Sequence, residues 1–324
     1  MTSHGGSRVL AICAAAALLL TGCGGGQQQA TSANGLEKTT LTIGVVPVPS
    51  SAPLFIAEKQ GFFKQEGLTV KTEIIQAPQA VMPKILNGGM DAFLTSYVSL
   101  MSIRESGVKI KLFQHAQEAM PGIAGVVVPK GSPVKQAADL KGKTIAVNAL
   151  KALGQTVTNA HLEQAGLKPD DVKYVPVQFA DQLTALSTGK VDAAWLVEPF
   201  LTAAQQQLGA TQVIDTMDGP TAGVPIDGWG VTEDWLAKYP KTAAALHRAL
   251  AKGQQIASTD RAAINAVIPS YTQIKAEAAE KMHLGKFSMD VDKAALQKLA
   301  DLLVGYGYLK NKVDAGTLLA TGVG

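Results

Sequence analysis

The chain has 324 residues, 47% of them hydrophobic and 17% charged, with a formal net charge of +3. That composition is globular, and the length suits two domains or two lobes of one. The charge is too small to argue for nucleic acid as a partner.

The first element is a leader. Arg8 supplies a positive end, Val9 to Leu20 is an uninterrupted apolar run, and small residues lead into Cys23. This is the layout of a secretory signal over residues 1–22. The run is too short to cross a bilayer as a helix. Leu20-Thr21-Gly22-Cys23 resembles the lipobox of bacterial lipoproteins. The resemblance implies cleavage before Cys23, lipidation of that residue, and an extracytoplasmic, lipid-anchored location at the cell membrane. Of the two cysteines, Cys13 leaves with the leader and Cys23 carries lipid, so the mature domain has no disulfide and needs a core large enough to stand alone. Residues 23–39, including GGGQQQATSANG, lack an apolar period and read as a flexible tether.

From Leu41 strands and helices alternate. Strands are expected over Leu41–Val46, Val70–Ile75, Ala92–Thr95, Ile110–Phe113 and Ile123–Val128. Helices are expected over Pro53–Gln60, Gln79–Leu86 (with Pro83 inside it) and Tyr97–Glu105. The pattern then repeats with strands Thr144–Val147, Val172–Val175 and Ala193–Leu196, and helices Gly154–Ala165, Asp181–Ser187 and Phe200–Leu208. A crossover strand is expected around Trp229–Val231. The remainder reads as helices Pro240–Ser258, Arg261–Ile268, Ile274–Met282 and Lys293–Gly305. Such alternation implies mostly parallel sheets with helices on their faces. A faint internal echo supports two similar lobes: Leu86-Asn-Gly-Gly-Met-Asp91-Ala92 and Leu186-Ser-Thr-Gly-Lys-Val-Asp192-Ala193 each end a helix and enter a short strand.

Leu41-Thr-Ile-Gly-Val-Val, then Ala52-Pro-Leu-Phe-Ile-Ala-Glu-Lys-Gln-Gly-Phe-Phe-Lys-Gln-Glu-Gly-Leu68, resembles the opening of ABC-transporter substrate-binding proteins of the nitrate/sulfonate/taurine type (NitT/TauT, SsuA/THI5-like). Asn87–Ala92, Asp139–Ala146 and Gly189–Phe200 continue the resemblance in order. It implies a two-lobed periplasmic-binding-protein fold of type II: α/β, each lobe a mostly parallel sheet flanked by helices, with two crossover segments as a hinge. Lobe one would hold residues 40–127 and 226–324, and lobe two residues 128–225, with crossings near 126–130 and 220–230. The protein would capture a small molecule, deliver it to an ABC permease, need no cofactor or metal, and work as a monomer.

In open α/β sheets ligands bind beyond the C-terminal ends of strands. That rule selects Pro49, Ser50 and Ser51 after the first strand, Ser96 and Tyr97 after the third, Asn148 and Leu150 in the second half, then Glu198, with Asp227 and Trp229 from the crossover. Helix capping competes with ligand contact for the serines and Asn148. A salt bridge or helix-start charge competes at Glu198, and a core position competes at Trp229. No arginine is among these residues, and Lys151 is the lone lysine nearby. Glu198 and Asp227 would oppose an anion, so a neutral or nitrogen-bearing ligand suits them better than a sulfonate or nitrate. The five histidines are scattered, and no HExxH, G-x-S-x-G or P-loop pattern occurs. An enzyme on the same fold acting on a pyrimidine-like or aromatic metabolite, and a sensory lipoprotein, remain the alternatives.

Overall fold

The computed structural model describes residues 35–323, so the leader, Cys23 and most of the tether lie outside the described residues. The described chain forms strands β1 (Thr40–Val45), β2 (Thr69–Ile74), β3 (Ala92–Ser96), β4 (Ile110–Glu118), β5 (Ala124–Val128), β6 (Thr144–Val147), β7 (Lys173–Pro176), β8 (Ala193–Val197), β9 (Thr211–Asp215), β10 (Pro225–Thr232) and β11 (Lys286–Phe287). They build a six-stranded sheet in the order β11-β4-β10-β3-β1-β2 and a five-stranded sheet in the order β7-β6-β8-β5-β9. The central strands are apolar on both faces because helices cover both sides. Leu41, Ile43 and Val45 of β1, and Ala193, Ala194 and Leu196 of β8, are fully buried.

In each sheet most strands run one way, as expected, and the strand that enters by a crossing runs the other. β1 runs parallel to β2 and β3, and β6 parallel to β7 and β8. β10 is antiparallel to β3 and β4, and β5 is antiparallel to β8 and β9. The cause is connectivity. The chain leaves each sheet at the C-terminal ends of its parallel strands and enters the other sheet from that same side, so each entering strand must run backwards. β5 belongs to the second sheet and β10 to the first, which puts the crossings at residues 119–123 and 216–224 instead of near 126–130 and 220–230. The two crossing segments bond to each other, with Ala119 N donating to the Val224 carbonyl at 2.9 Å.

The internal echo is a shared piece of construction. In the first sheet, Asp91 N donates to the Thr42 carbonyl and the Asp91 carboxylate accepts from Thr42 N at 2.9 Å. In the second, Asp192 N donates to the Thr144 carbonyl and its carboxylate accepts from Thr144 N at 2.8 Å. Each aspartate thus staples the start of one strand to its neighbour. Each follows a glycine with positive φ, Gly88 or Gly189, that ends the preceding helix.

Two sequence expectations need revision here. Gln79–Leu86 divides into a 3₁₀ turn, Pro78–Val81, and a helix, Met82–Leu86, which places Pro83 in a first turn where its missing N–H costs nothing. The tether expected to run to residue 39 is docked from Leu36 onward. Leu36 is buried, Glu37 accepts from Thr242 N at 2.9 Å, and Lys38 pairs with Asp91 at 2.6 Å.

The 20-residue helix Pro240–Thr259 lies on the helix Ala52–Lys59. Gly253 permits that approach, because a Cβ there would run into the Pro53 carbonyl. The C-terminal segments touch the second half as well as the first. Ala203 shares one apolar cluster with Ala52, Ile264 and Met282. Tyr306 donates to Glu163 at 3.0 Å, and Asn159 donates to the Tyr308 hydroxyl at 2.9 Å.

Candidate functional site

The strand ends of the two sheets face each other across one cleft of about 770 Å3, open mouth included. Six of the ten residues expected from the sequence line it: Pro49, Ser50, Ser96, Asn148, Glu198 and Asp227.

Asp227 is the centre of the first sheet's contribution. It sits near the start of β10, level with Ser96 of β3 on one side and Gln117 of β4 on the other. The side chain is 7% exposed. Oδ2 accepts from Ser50 Oγ at 2.7 Å, and Oδ1 has no partner. Burial pushes this carboxyl up to about 7, against the pull of the Ser50 hydrogen bond. Ser50 reaches it because β1 ends in a tight turn, with Val48 N bonded to the Val46 carbonyl, followed by the 3₁₀ turn Pro49–Ser51.

Glu198 is the centre of the second sheet's contribution. It follows β8, is 2% exposed, and precedes Pro199 through a cis peptide bond. Oε2 accepts from Thr202 N at 3.1 Å, and Oε1 accepts from Thr202 Oγ1 at 2.8 Å and His283 N at 2.9 Å. It therefore caps the helix Phe200–Leu208 and fixes the C-terminal segment at the cleft rim. Burial raises its carboxyl, while His283 N and Thr202 pull the other way. Asn148, after β6, is half-buried and its side chain makes no hydrogen bond. Ser96 caps the helix Tyr97–Glu105, accepting from Ser99 N at 3.1 Å, and lines the cleft with Ser99.

Four expected residues lie off the cleft. Ser51 turns away to bond the Val46 carbonyl at 2.7 Å. Tyr97, the first helical residue after Ser96, is fully buried beneath the sheet, with its hydroxyl 3.0 Å from His115 Nδ1. Burial, with the nearby Asp227 and Glu118 charges, holds the Tyr97 hydroxyl far above its ordinary value, and burial pushes His115 down to about 4. Leu150 is 48% exposed beside Lys151, whose φ of 55° turns the chain outward. Trp229 sits two residues beyond Asp227, roughly 7 Å further along the strand, and is fully buried in the core with Leu41 and Ile43.

The sequence reading missed the apolar wall. Phe179, Leu153, Trp195, Val197 and Met217 line the second sheet's side. The Phe179 and Trp195 rings lie 5.9 Å apart at 42°, and Trp195 Nε1 donates to Thr216 at 2.9 Å. Trp195 lies inside the expected strand and shares strand parity with Val197 at the cleft. Gly154 lets the helix Leu153–Gln164 close on it, since a Cβ there would strike the indole. Gln76 and Gln117 were also missed, and Gln117 Nε2 is buried without a partner. Among the described residues, no lysine or arginine lines the cleft, and His283 is the one histidine that does. Among the described residues, no group of three or more His, Cys, Asp or Glu is placed to hold a metal ion, and no helix is long and apolar enough to cross a membrane.

Two mixed sheets joined by two crossings, with a cleft between their strand ends that sets a few polar side chains against an apolar wall, define a type II periplasmic-binding-protein fold. The solved alkanesulfonate-binding protein SsuA of Xanthomonas axonopodis pv. citri, bound to MOPS, has this fold, with a TM-score of 0.75 at 16% identity over 87% of this chain and 98% of that one. The family model described as NMT1/THI5 like matches residues 48–263, and the chain belongs to that family. It is 25% identical over 224 residues to the putative binding protein YtlA of Bacillus subtilis, covering 68% of this chain and 67% of that one. It is 23% identical over 284 residues to the bicarbonate-binding protein CmpA of Synechococcus elongatus, covering 75% and 62%. Other curated relatives are longer, and the chain spans 35% of their length.

Proposed function

We propose that the protein is an extracytoplasmic solute-binding lipoprotein. It is held at the membrane by lipid on Cys23, captures a small molecule between two lobes, and hands it to an ABC-type importer as a monomer. The lobes are residues 40–118 with 225–324, and residues 124–215, moving about the paired crossing segments 119–123 and 216–224. The observation that carries this reading is convergence: Ser50, Ser96 and Asp227 from one sheet and Asn148 and Glu198 from the other meet across a single cleft. Such folds close around ligands by hinge motion. A lipid tether suits delivery because it keeps the loaded protein at high effective concentration beside its permease. The relatives' names give bicarbonate and alkanesulfonates as cargo, and the family resemblance extends the range to nitrate, taurine and pyrimidine-like solutes.

A thermal-shift screen over sulfonates, nitrate, bicarbonate, amines, vitamins and aromatic acids tests capture. A ligand at one hundred times its Kd stabilises a folded binder by about 2.7 kcal/mol. At least one class should raise the melting temperature, and a flat response across every class would refute capture. Cys23→Ser should move the protein from the membrane to the soluble fraction, and retention at the membrane would refute the anchor.

A further inference from the structure

The cleft presents charge of one sign. Asp227 and Glu198 face it, and no lysine or arginine does. Glu198 is saturated by three donors from Thr202 and His283. Asp227 is not. Its Oδ1 is buried at the cleft wall with no donor, and its neighbours there, Ser96 and Gln117, bring no charge. A buried carboxylate oxygen without a donor is costly, so the oxygen is poised for an N–H or O–H group brought by the ligand.

The positions that would welcome an oxyanion are mostly taken by the protein itself. The first turn of Phe200–Leu208 is occupied by the Glu198 carboxylate, and that of Tyr97–Glu105 by Ser96 Oγ. Pro53 removes an N–H from the first turn of Ala52–Lys59. The starts of Leu153–Gln164, near Asn148, and of Phe179–Ser187 have no side-chain cap, and the second carries Asp181 in its first turn, which offsets its partial positive charge. A helix terminus carries about half a charge, against the full charge of an ionised Asp227. Opposite Asp227 lies the apolar wall of Phe179, Trp195, Leu153 and Met217, which offers a flat body van der Waals contact and no hydrogen bond.

We propose that the cleft takes a cationic nitrogen base, an amine or amidine on a flat apolar body, whose N–H donates to Asp227 Oδ1 while the body lies against Phe179 and Trp195. This inference rests on the solute-binding reading and assigns its cargo the opposite charge to the bicarbonate and alkanesulfonate named for the relatives.

The experiment is isothermal titration of the full chain in detergent at pH 8. Benzylamine and benzamidine are compared with benzoate and benzenesulfonate, which are similar in size and opposite in charge, and with taurine and bicarbonate. At least one of the two cations should saturate the protein, with every anion at least tenfold weaker. Asp227→Asn should weaken that cation at least tenfold while far-UV circular dichroism is unchanged. Asn148→Lys, at a half-buried position without hydrogen bonds, should weaken the cation and strengthen benzenesulfonate, so the inference stays testable if Asp227→Asn misfolds. Tighter binding of an anion than of both cations, or cation binding indifferent to both substitutions, overturns the assignment and leaves capture standing. No binding by either cation overturns it as well, and capture itself then stands or falls on the broader thermal-shift screen.

Discussion

Asp227 should make the empty protein less stable as pH rises, and Asp227→Asn should reverse that. The folded carboxyl lies at about 7, against an ordinary 3.8. Between those values the folded chain keeps a proton that the unfolded chain has released. Stability from this group is therefore fully present below about pH 4, falls with rising pH, and levels off above 7. The full loss is about 4 kcal/mol at 1.36 kcal/mol per tenfold change in proton affinity. Asparagine keeps an oxygen for Ser50 and removes the charge. It also leaves an amide nitrogen where Oδ1 had no partner, a cost of about 1–3 kcal/mol. The net expectation at pH 8 is a variant more stable than wild type by about 1–3 kcal/mol, with the advantage gone at pH 4.5. Urea unfolding of ligand-free protein at both pH values measures the difference. Glu198 and His115 titrate alike in both proteins and cancel. A variant no more stable than wild type at pH 8, or a difference independent of pH, would refute the reasoning.

His115→Gln should flatten a second pH dependence. His115 is held near 4 by burial, below its usual 6.5, so its contribution is present above 6.5 and is lost as pH falls towards 4. Asp227 acts in the opposite sense in both proteins, so the readout is the difference: as pH falls from 7 to 4.5 the variant should gain stability relative to wild type in chemical unfolding. Gly253→Ala should cost about 1–3 kcal/mol by overpacking against the Pro53 carbonyl, read as a lower urea midpoint. An unchanged midpoint would mean that the two helices can part freely. Glu198→Ala should cost about 1–2 kcal/mol through the lost cap of Phe200–Leu208. It should also speed hydrogen exchange at His283 N, which donates to that carboxylate.

Much of the fold was legible because its signals are local. Tyr97–Glu105, Phe200–Leu208 and Lys293–Gly305 fall on their expected bounds. Ser96 and Asp292 cap two of these helices, and Gly209, at a φ of 60°, ends the third. β4 continues five residues past its expected end at Phe113, through Gln114, His115 and Gln117, which are polar yet buried. Their room comes from Gly228 of β10, whose missing side chain lets the Gln114 backbone approach, and no local pattern in β4 reveals that. β9 escaped notice because Thr211–Asp215 is short and only partly buried. The strand-end rule reaches four residues that line the cleft, Ser50, Asn148, Glu198 and Asp227, because it fixes position along a strand. It misplaced Tyr97 and Trp229 because it does not say which side chains turn into the core. The backward course of β5 and β10 depends on which sheet each joins, a long-range choice that hydropathy does not record.

The paired aspartates at the strand starts give the molecule an internal control. Asp91 and Asp192 make the same bond to the same point of equivalent strands. Asp91 is 3% exposed and is joined by Lys38 and the Trp235 indole, whereas the Asp192 side chain is 46% exposed. Asparagine at each site in turn would compare one staple in two dielectric settings, with chain length, solvent and fold held constant. The gap between the two measured losses would give the worth of burying the staple together with the Trp235 indole and a lysine at 2.6 Å, Lys38, in place of one at 4.0 Å, Lys143.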